Sequence, residues 1–121
     1  MNLKALNNEI KGDKKELIIR FFQQKFLVTP FNGLMWNNFK YHATCLAFED
    51  MELMDIPVQN LLFYLERQKR LYETNLQVII ELINGLEPWE EIDAEIFDIS
   101  MSWVVAVTHE DKLLSVVAKS V

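Results

Sequence analysis

Cysteine, glycine and proline are scarce in this sequence of 121 residues, which contains one, three and three of them respectively. The single cysteine, Cys45, excludes a disulfide within the chain and is typical of a reducing cytoplasm. Gly12, Gly33 and Gly85 are far apart, so the chain lacks a glycine-rich loop that would hold a phosphate. The sequence therefore argues against nucleotide binding.

Long hydrophobic runs are also missing. The longest apolar runs span about five residues, whereas a membrane-spanning helix needs roughly 20. The first residues include Lys4 and Glu9 and lack the apolar segment of a signal peptide. We therefore expect a cytoplasmic protein that does not bind a membrane.

Basic residues are unevenly distributed along a chain whose net charge is −6. Residues 1–40 contain seven Lys/Arg and three Asp/Glu, whereas residues 71–111 contain ten Asp/Glu and no Lys or Arg. Such an acidic segment repels nucleic-acid phosphates and attracts a basic partner. The alternative is that these acids only keep the domain soluble. In either case we expect no binding to nucleic acid.

The apolar half of the sequence is sufficient for the core of one domain. The run Trp103–Val107 is apolar without alternation, which predicts the central strand of a sheet covered on both faces. We expect residues 94–99 to form the preceding strand. Residues 113–118 are expected to return as an antiparallel edge strand before polar residues 119 and 120. The predicted fold is a single α/β (α+β) domain over residues 1–121, with an antiparallel or mixed sheet of four to six strands and packed helices.

Three helices are predicted from spacing and capping in the first half of the chain. Residues 2–11 have apolar residues at helical spacing and precede Gly12, which predicts a short N-terminal helix over residues 1–12. The core, residues 13–121, begins with an N-capping Asp13 and a helix over about residues 14–27. Residues 49–55 form a short acidic helix candidate that ends before Pro57.

Residues 58–86 permit two interpretations. Apolar residues at positions 58, 65, 72, 79 and 86 follow a seven-residue repeat, which favours one long helix. The compact run over residues 61–65 contains two aromatics, which favours a strand, a turn near residues 68 and 69, and a second strand. In that interpretation Thr74 or Asn75 caps a helix that ends at Gly85.

Candidate catalytic and metal-binding residues are few. A histidine beside a carboxylate is the arrangement of a general base, but adjacent strand residues point to opposite faces, so Glu110 does not orient His109. Cys45 with His42 or His109 would form a nucleophilic dyad, yet a cysteine in an apolar segment is typical of a small buried residue. These three residues are fewer than the four ligands of a structural zinc site. We predict no catalytic, cofactor or metal site.

Three segments together carry a family resemblance. They are residues 34–41 with Trp36, Phe39 and Tyr41; residues 61–74; and residues 98–110 with Ser102, Trp103, Thr108, His109 and Glu110. They resemble a family of small bacterial proteins similar to the immunity proteins of polymorphic toxins and contact-dependent growth inhibition. The resemblance implies strand, turn and strand over residues 61–74, which is the interpretation we adopt. The chain departs from the family in having Asp-Lys-Leu-Leu at residues 111–114, where the family continues with Gly-Pro-Tyr-Phe.

The resemblance also implies a function without enzymatic activity: binding and neutralising a cognate toxin. Such toxins are often basic nucleases, as the resemblance implies, and an acidic inhibitor covers their substrate groove. The residues predicted to bind the toxin are Glu87, Trp89, Glu90, Glu91, Asp93, Glu95 and Asp98. The alternatives are a regulatory or adaptor domain for another protein, and a hydrolase that uses His109. We expect a monomer or a weak homodimer.

Overall fold

Seven strands form one antiparallel sheet in the computed structural model, which describes residues 1–118. The strands are β1 (Glu9–Ile10), β2 (Ala43–Ala47), β3 (Leu61–Leu65), β4 (Arg70–Thr74), β5 (Ala94–Phe97), β6 (Trp103–Val107) and β7 (Lys112–Val117). Their spatial order is β1-β4-β3-β5-β6-β7-β2. The helices are α1 (Gly12–Phe26) and α2 (Leu76–Asn84), with 3-10 turns at Leu3–Ala5, Met35–Asn37 and Phe48–Leu53. The α+β class is confirmed, and the sheet has seven strands where four to six were predicted.

Residues 61–84 fold as strand, turn, strand and helix, so the alternative of one long helix is wrong. The β3–β4 turn lacks glycine and instead has Lys69 at a φ of 56°, the left-handed conformation that tight hairpins require. Asn75 caps α2, because its side chain accepts a hydrogen bond from the backbone N–H of Val78 at 3.0 Å. Gly85 ends the helix as predicted.

Several local predictions are wrong at the edges of the sheet. Residues 2–11 do not form a helix, since only Leu3–Ala5 makes a 3-10 turn and Glu9–Ile10 joins the sheet beside β4. Strand β7 is not an edge strand, because β2 pairs with its outer side. Strand β6 is interior, but β5 occupies the centre, with three strands on each side. The predicted polar end at residues 119 and 120 lies outside the described residues.

Apolar side chains fill both faces of the sheet. On one face α2 packs against residues that include Phe63, Ile96 and Val105. On the other, α1 packs through Phe22, whose ring centroid lies 4.5 Å from that of Phe97. Trp103 begins the run that was predicted to be a strand covered on both faces, but its side chain is only partly buried. None of the helices within residues 1–118 has the length and apolar character needed to cross a membrane.

Candidate functional site

Two of the seven residues predicted to bind a partner are buried in the structure. Asp93 and Glu95 are only 1% and 0% exposed. Glu95 belongs to β5, the central strand, and shares the face of Phe97 that α1 covers, because alternate strand residues point the same way. Asp93 immediately precedes the same strand. The prediction that these two acids are exposed is therefore wrong.

Three further acids of the predicted set make local contacts. Asp98 lies at the opposite end of β5, where it accepts hydrogen bonds from the backbone N–H of Ser100 at 3.0 Å and from Nε1 of Trp103 at 3.2 Å. Glu90 pairs with the N-terminal ammonium group. Glu91 pairs with Nη2 of Arg67 at 2.8 Å. The chain terminus and Arg67 thus supply countercharge that lies outside the acidic segment in sequence.

Trp89 lies in the connection from α2 to β5, here called the Trp89 loop (residues 87–91), and its side chain is 77% exposed. The loop is a hydrogen-bonded turn. The backbone N–H of Glu90 donates to the carbonyl of Glu87 at 2.9 Å, and the N–H of Glu87 donates to Oε1 of Glu90 at 3.1 Å. The side chain of Trp89 is therefore accessible to a partner and lies on a turn with a defined conformation.

A buried carboxylate holds the base of the Trp89 loop. Oδ1 of Asp93 accepts hydrogen bonds from Nε1 of Trp36 at 2.8 Å and from the backbone N–H of His109 at 3.2 Å. The Nδ1 of His109 lies 2.9 Å from the same oxygen. Oδ2 accepts a hydrogen bond from Nε of Arg67 at 2.6 Å. Asp93 thereby joins the Trp89 loop to the β3–β4 turn, the β6–β7 turn and the 3-10 turn at Met35–Asn37.

The electrostatics of this cluster follow from its hydrogen bonds. Burial raises the pKa of Asp93, but hydrogen bonds from His109, Arg67 and Trp36 favour the ionised form and together hold that pKa below its ordinary value. The hydrogen bond to Asp93 raises the pKa of His109. The two groups therefore form an ion pair when His109 is protonated.

A second buried carboxyl lies beside this cluster. Both side-chain oxygens of Glu95 are buried and, among the described residues, have no hydrogen-bond donor. Glu66 is its neighbour, with Oε1 accepting from the backbone N–H of Met35 at 2.8 Å and Oε2 buried. Burial, followed by the interaction with Glu66, raises the pKa of Glu95 well above its ordinary value. Glu95 therefore retains a proton at a pH where an exposed glutamate is ionised.

The cluster has part of the geometry of a catalytic site. A histidine whose Nδ1 bonds to a buried carboxylate is oriented as a general base. Sequence reasoning missed that Asp93, not Glu110, orients His109, because the two are 16 residues apart in the chain. A dyad of Cys45 with His109 is wrong, since β7 separates β2 from β6. Cys45 is exposed rather than buried. Residues 1–118 contain no group of three His, Cys, Asp or Glu side chains placed to hold a metal.

Arg67 and Trp36 also belong to the cluster and were not predicted as site residues. Trp36 carried a weak signal, because an indole N–H requires an acceptor when it is partly buried. Arg67 carried none beyond its position in a turn. Both donate to Asp93, as described above.

Three comparisons with known proteins found no match to this chain. No protein-family model, no curated protein and no solved structure matched it. The resemblance to immunity proteins is therefore untested by these comparisons. It stays a prediction carried by residues 34–41, 61–74 and 98–110.

Proposed function

We propose that this protein binds and neutralises a cognate bacterial toxin, and that the Trp89 loop is the contact surface. The observation that carries the proposal is the 77% exposure of Trp89 on an ordered turn. Tryptophan is among the residues that contribute most to binding energy at protein interfaces. An exposed indole of this kind costs little to desolvate and offers a large apolar area to a pocket on the partner.

The hydrogen bonds below the loop support the proposal. Asp93 fixes one end of the loop to three other turns, and Glu90 and Glu87 bond to each other across it. A loop that is already ordered loses less conformational entropy on binding, which favours affinity. The Trp89 loop is thus pre-organised for a partner.

The charges that remain exposed favour a basic partner. Glu87 and Glu91 are exposed on the Trp89 loop, and Glu110 and Asp111 are exposed in the β6–β7 turn, which Asp93 ties to the same end of the sheet. Exposed acids of this kind steer a basic protein and accelerate its association. A toxin with a basic, nuclease-like active site has the complementary charge. Arg67 neutralises part of this acidic surface. We therefore attribute most of the binding affinity to Trp89 and attribute to the exposed acids mainly an increase in the association rate.

Growth rescue tests the proposal. The protein encoded beside this one in the genome is expressed alone and together with this chain. We expect the first to stop growth and the second to restore it. Trp89→Ala should abolish rescue, whereas Ile99→Ala, at an 86% exposed residue beyond the other end of β5, should retain it. Rescue by Trp89→Ala at the wild-type level would contradict the assignment of the surface.

A hydrolase is the second candidate function, and the contact between Asp93 and His109 favours it. The side chain of His109 is 32% exposed, so Nε2 can meet a substrate while Nδ1 is held by Asp93. His109→Gln would abolish such an activity. An immunity protein with this substitution should still bind its toxin. Binding to a protein whose expression does not stop growth would instead indicate the regulatory or adaptor function.

A further inference from the structure

Strand β2 is the edge strand on one side of the sheet. The hydrogen bonds made by its neighbour β7 show which backbone groups of β2 point away from the sheet. The N–H of Thr108 donates to the carbonyl of Lys112 at 3.0 Å, and the N–H of Ala118 donates to that of Ser102 at 2.9 Å. Even-numbered residues of β7 therefore bond to β6, and odd-numbered ones bond to β2. Since residues 113 and 115 pair with residues 46 and 44, those two β2 residues face β7.

The backbone groups of Ala43, Cys45 and Ala47 consequently face away from the sheet. The N–H of Ala47 donates to Oδ2 of Asp50 at 3.4 Å, which agrees with an outward direction. Within residues 1–118, no strand pairs with this side of β2. Apart from the Ala47 N–H, which Asp50 accepts, the outer edge is thus a row of amide and carbonyl groups available to another strand.

This edge lacks the features that usually prevent strand addition. Its five residues, Ala-Thr-Cys-Leu-Ala, include no charge and no proline, and Thr44 and Cys45 are exposed. The opposite edge is different, because β1 has only two residues and one of them is Glu9. Among the described strands, only β2 therefore offers an uninterrupted, uncharged edge of the sheet.

We propose that β2 pairs with β2 of a second copy of this chain, antiparallel and about a two-fold axis at Cys45. This register opposes Cys45 to Cys45 of the other copy and Ala43 to Ala47 of the other copy. Each outward N–H and carbonyl then meets an outward group, whereas a shift by one residue would oppose outward groups to inward ones. The dimer would continue the sheet of one copy into that of the other.

Charge complementarity favours a second copy as the occupant. β2 itself is uncharged, so two chains of net charge −6 meet at a site without opposed carboxylates. Lys40 precedes the strand, and Glu49 and Asp50 follow it. Antiparallel pairing places the basic flank of each copy at the same end as the acidic flank of the other, so these flanks attract each other twice in the dimer.

Sedimentation equilibrium under reducing conditions tests the proposal, with protein at about 1 μM to 1 mM, the range that detects weak association. We expect the mass to rise from 14.3 kDa toward twice that value. Cys45→Lys would place two lysine charges opposite each other on the two-fold axis. This substitution should raise the dimer dissociation constant at least tenfold. Cys45→Thr keeps an uncharged strand residue and should leave it unchanged. A monomer at every concentration, or equal dimers for both variants, would overturn the proposal.

Amide hydrogen exchange of the unmodified chain gives a second test that does not depend on the variants folding. The Cys45 amide should exchange more slowly as the dimer fraction rises, because its N–H becomes hydrogen-bonded in the dimer. The Thr44 amide already faces β7 and should change less. A dimer in which the Cys45 amide keeps its monomer exchange rate would place the interface elsewhere.

Discussion

His109 is oriented by Asp93, whose Oδ1 lies 2.9 Å from its Nδ1 and also accepts its backbone N–H at 3.2 Å. One carboxylate oxygen therefore fixes both the main chain and the ring of His109, which lies in the turn after β6. Asp93 follows the Trp89 loop by two residues in the chain, so the same carboxylate also anchors that loop. The stability of this end of the sheet and the presentation of Trp89 therefore depend on one buried acid.

Asp93→Ala should destabilise the fold by about 2–4 kcal/mol, because it leaves partly buried donors of Trp36 and His109 without an acceptor. Chemical denaturation measures the loss. Glu91→Ala is the matched control, since its exposed pair with Arg67 should contribute no more than about 1 kcal/mol. Equal effects of the two substitutions would mean that the Asp93 cluster is not a structural anchor.

The ion pair of Asp93 and His109 should make stability depend on pH. The pKa of His109 is raised in the folded state, so its contribution is fully present below the ordinary value of 6.5 and is lost as pH rises through the raised pKa. Histidine NMR titration should show this raised pKa and its return toward 6.5 in Asp93→Asn. The difference in unfolding free energy between wild type and His109→Gln should fall over the same pH interval. A His109 pKa that Asp93→Asn leaves unchanged would contradict the assignment.

Glu95 should produce a second pH dependence, which begins near the ordinary glutamate pKa of 4.5. Because its folded pKa is raised above the ordinary 4.5, the folded state holds a proton that the unfolded state has lost. The free energy of unfolding should therefore fall as pH rises from about 4.5 through the raised pKa. Glu95→Gln keeps the shape without the titration, so the variant should lack this decline and exceed wild type in stability at neutral pH. Parallel pH profiles for the two proteins would show that Glu95 does not titrate in this way.

Neighbouring phenylalanines of α1 should differ in their contributions to stability. Phe22 is fully buried against Phe97, whereas Phe21 is 52% exposed. Phe22→Ala should cost about 3–5 kcal/mol, because it leaves a cavity between α1 and the sheet. Phe21→Ala should cost less than about 1 kcal/mol. Similar melting temperatures for the two variants would contradict the placement of α1.

Hydrophobic pattern predicted the elements with the strongest signals. Capping predicted the start of α2 at Asn75, but the N-capping role predicted for Asp13 is wrong, because α1 begins at Gly12 and its N-cap is Lys11. Helix α1, the β3–β4 hairpin, α2 and β6 all lie close to the predicted positions. Strand β2 was missed because Ala43–Ala47 has small residues and no alternation of apolar and polar side chains. Strand β1 was missed because two residues are too few to produce a pattern. Its pairing depends on β4, whose residues Leu71 and Tyr72 pair with Ile10 and Glu9 from more than 60 positions away in the chain.

The candidate site was harder to predict than the fold. Charged side chains are usually exposed, and the sequence therefore suggested that Asp93 and Glu95 lie on the surface. Both are buried, because Asp93 immediately precedes the central strand of the sheet and Glu95 lies in it. Their burial depends on partners from distant segments, namely Trp36, Arg67 and Glu66. Only Trp89 could be recognised from sequence as an aromatic residue in a polar loop, and the structure places it on the surface.

The affinity of purified wild type and Trp89→Ala for the proposed toxin, the protein encoded beside this chain, tests the central claim most directly. Calorimetry should show a dissociation constant about 30-fold or more higher for Trp89→Ala, which corresponds to roughly 2 kcal/mol for a dominant interface residue. Ile99→Ala, the matched exposed control, should bind as wild type does. If Trp89→Ala binds the toxin with wild-type affinity, the Trp89 loop is not the contact surface.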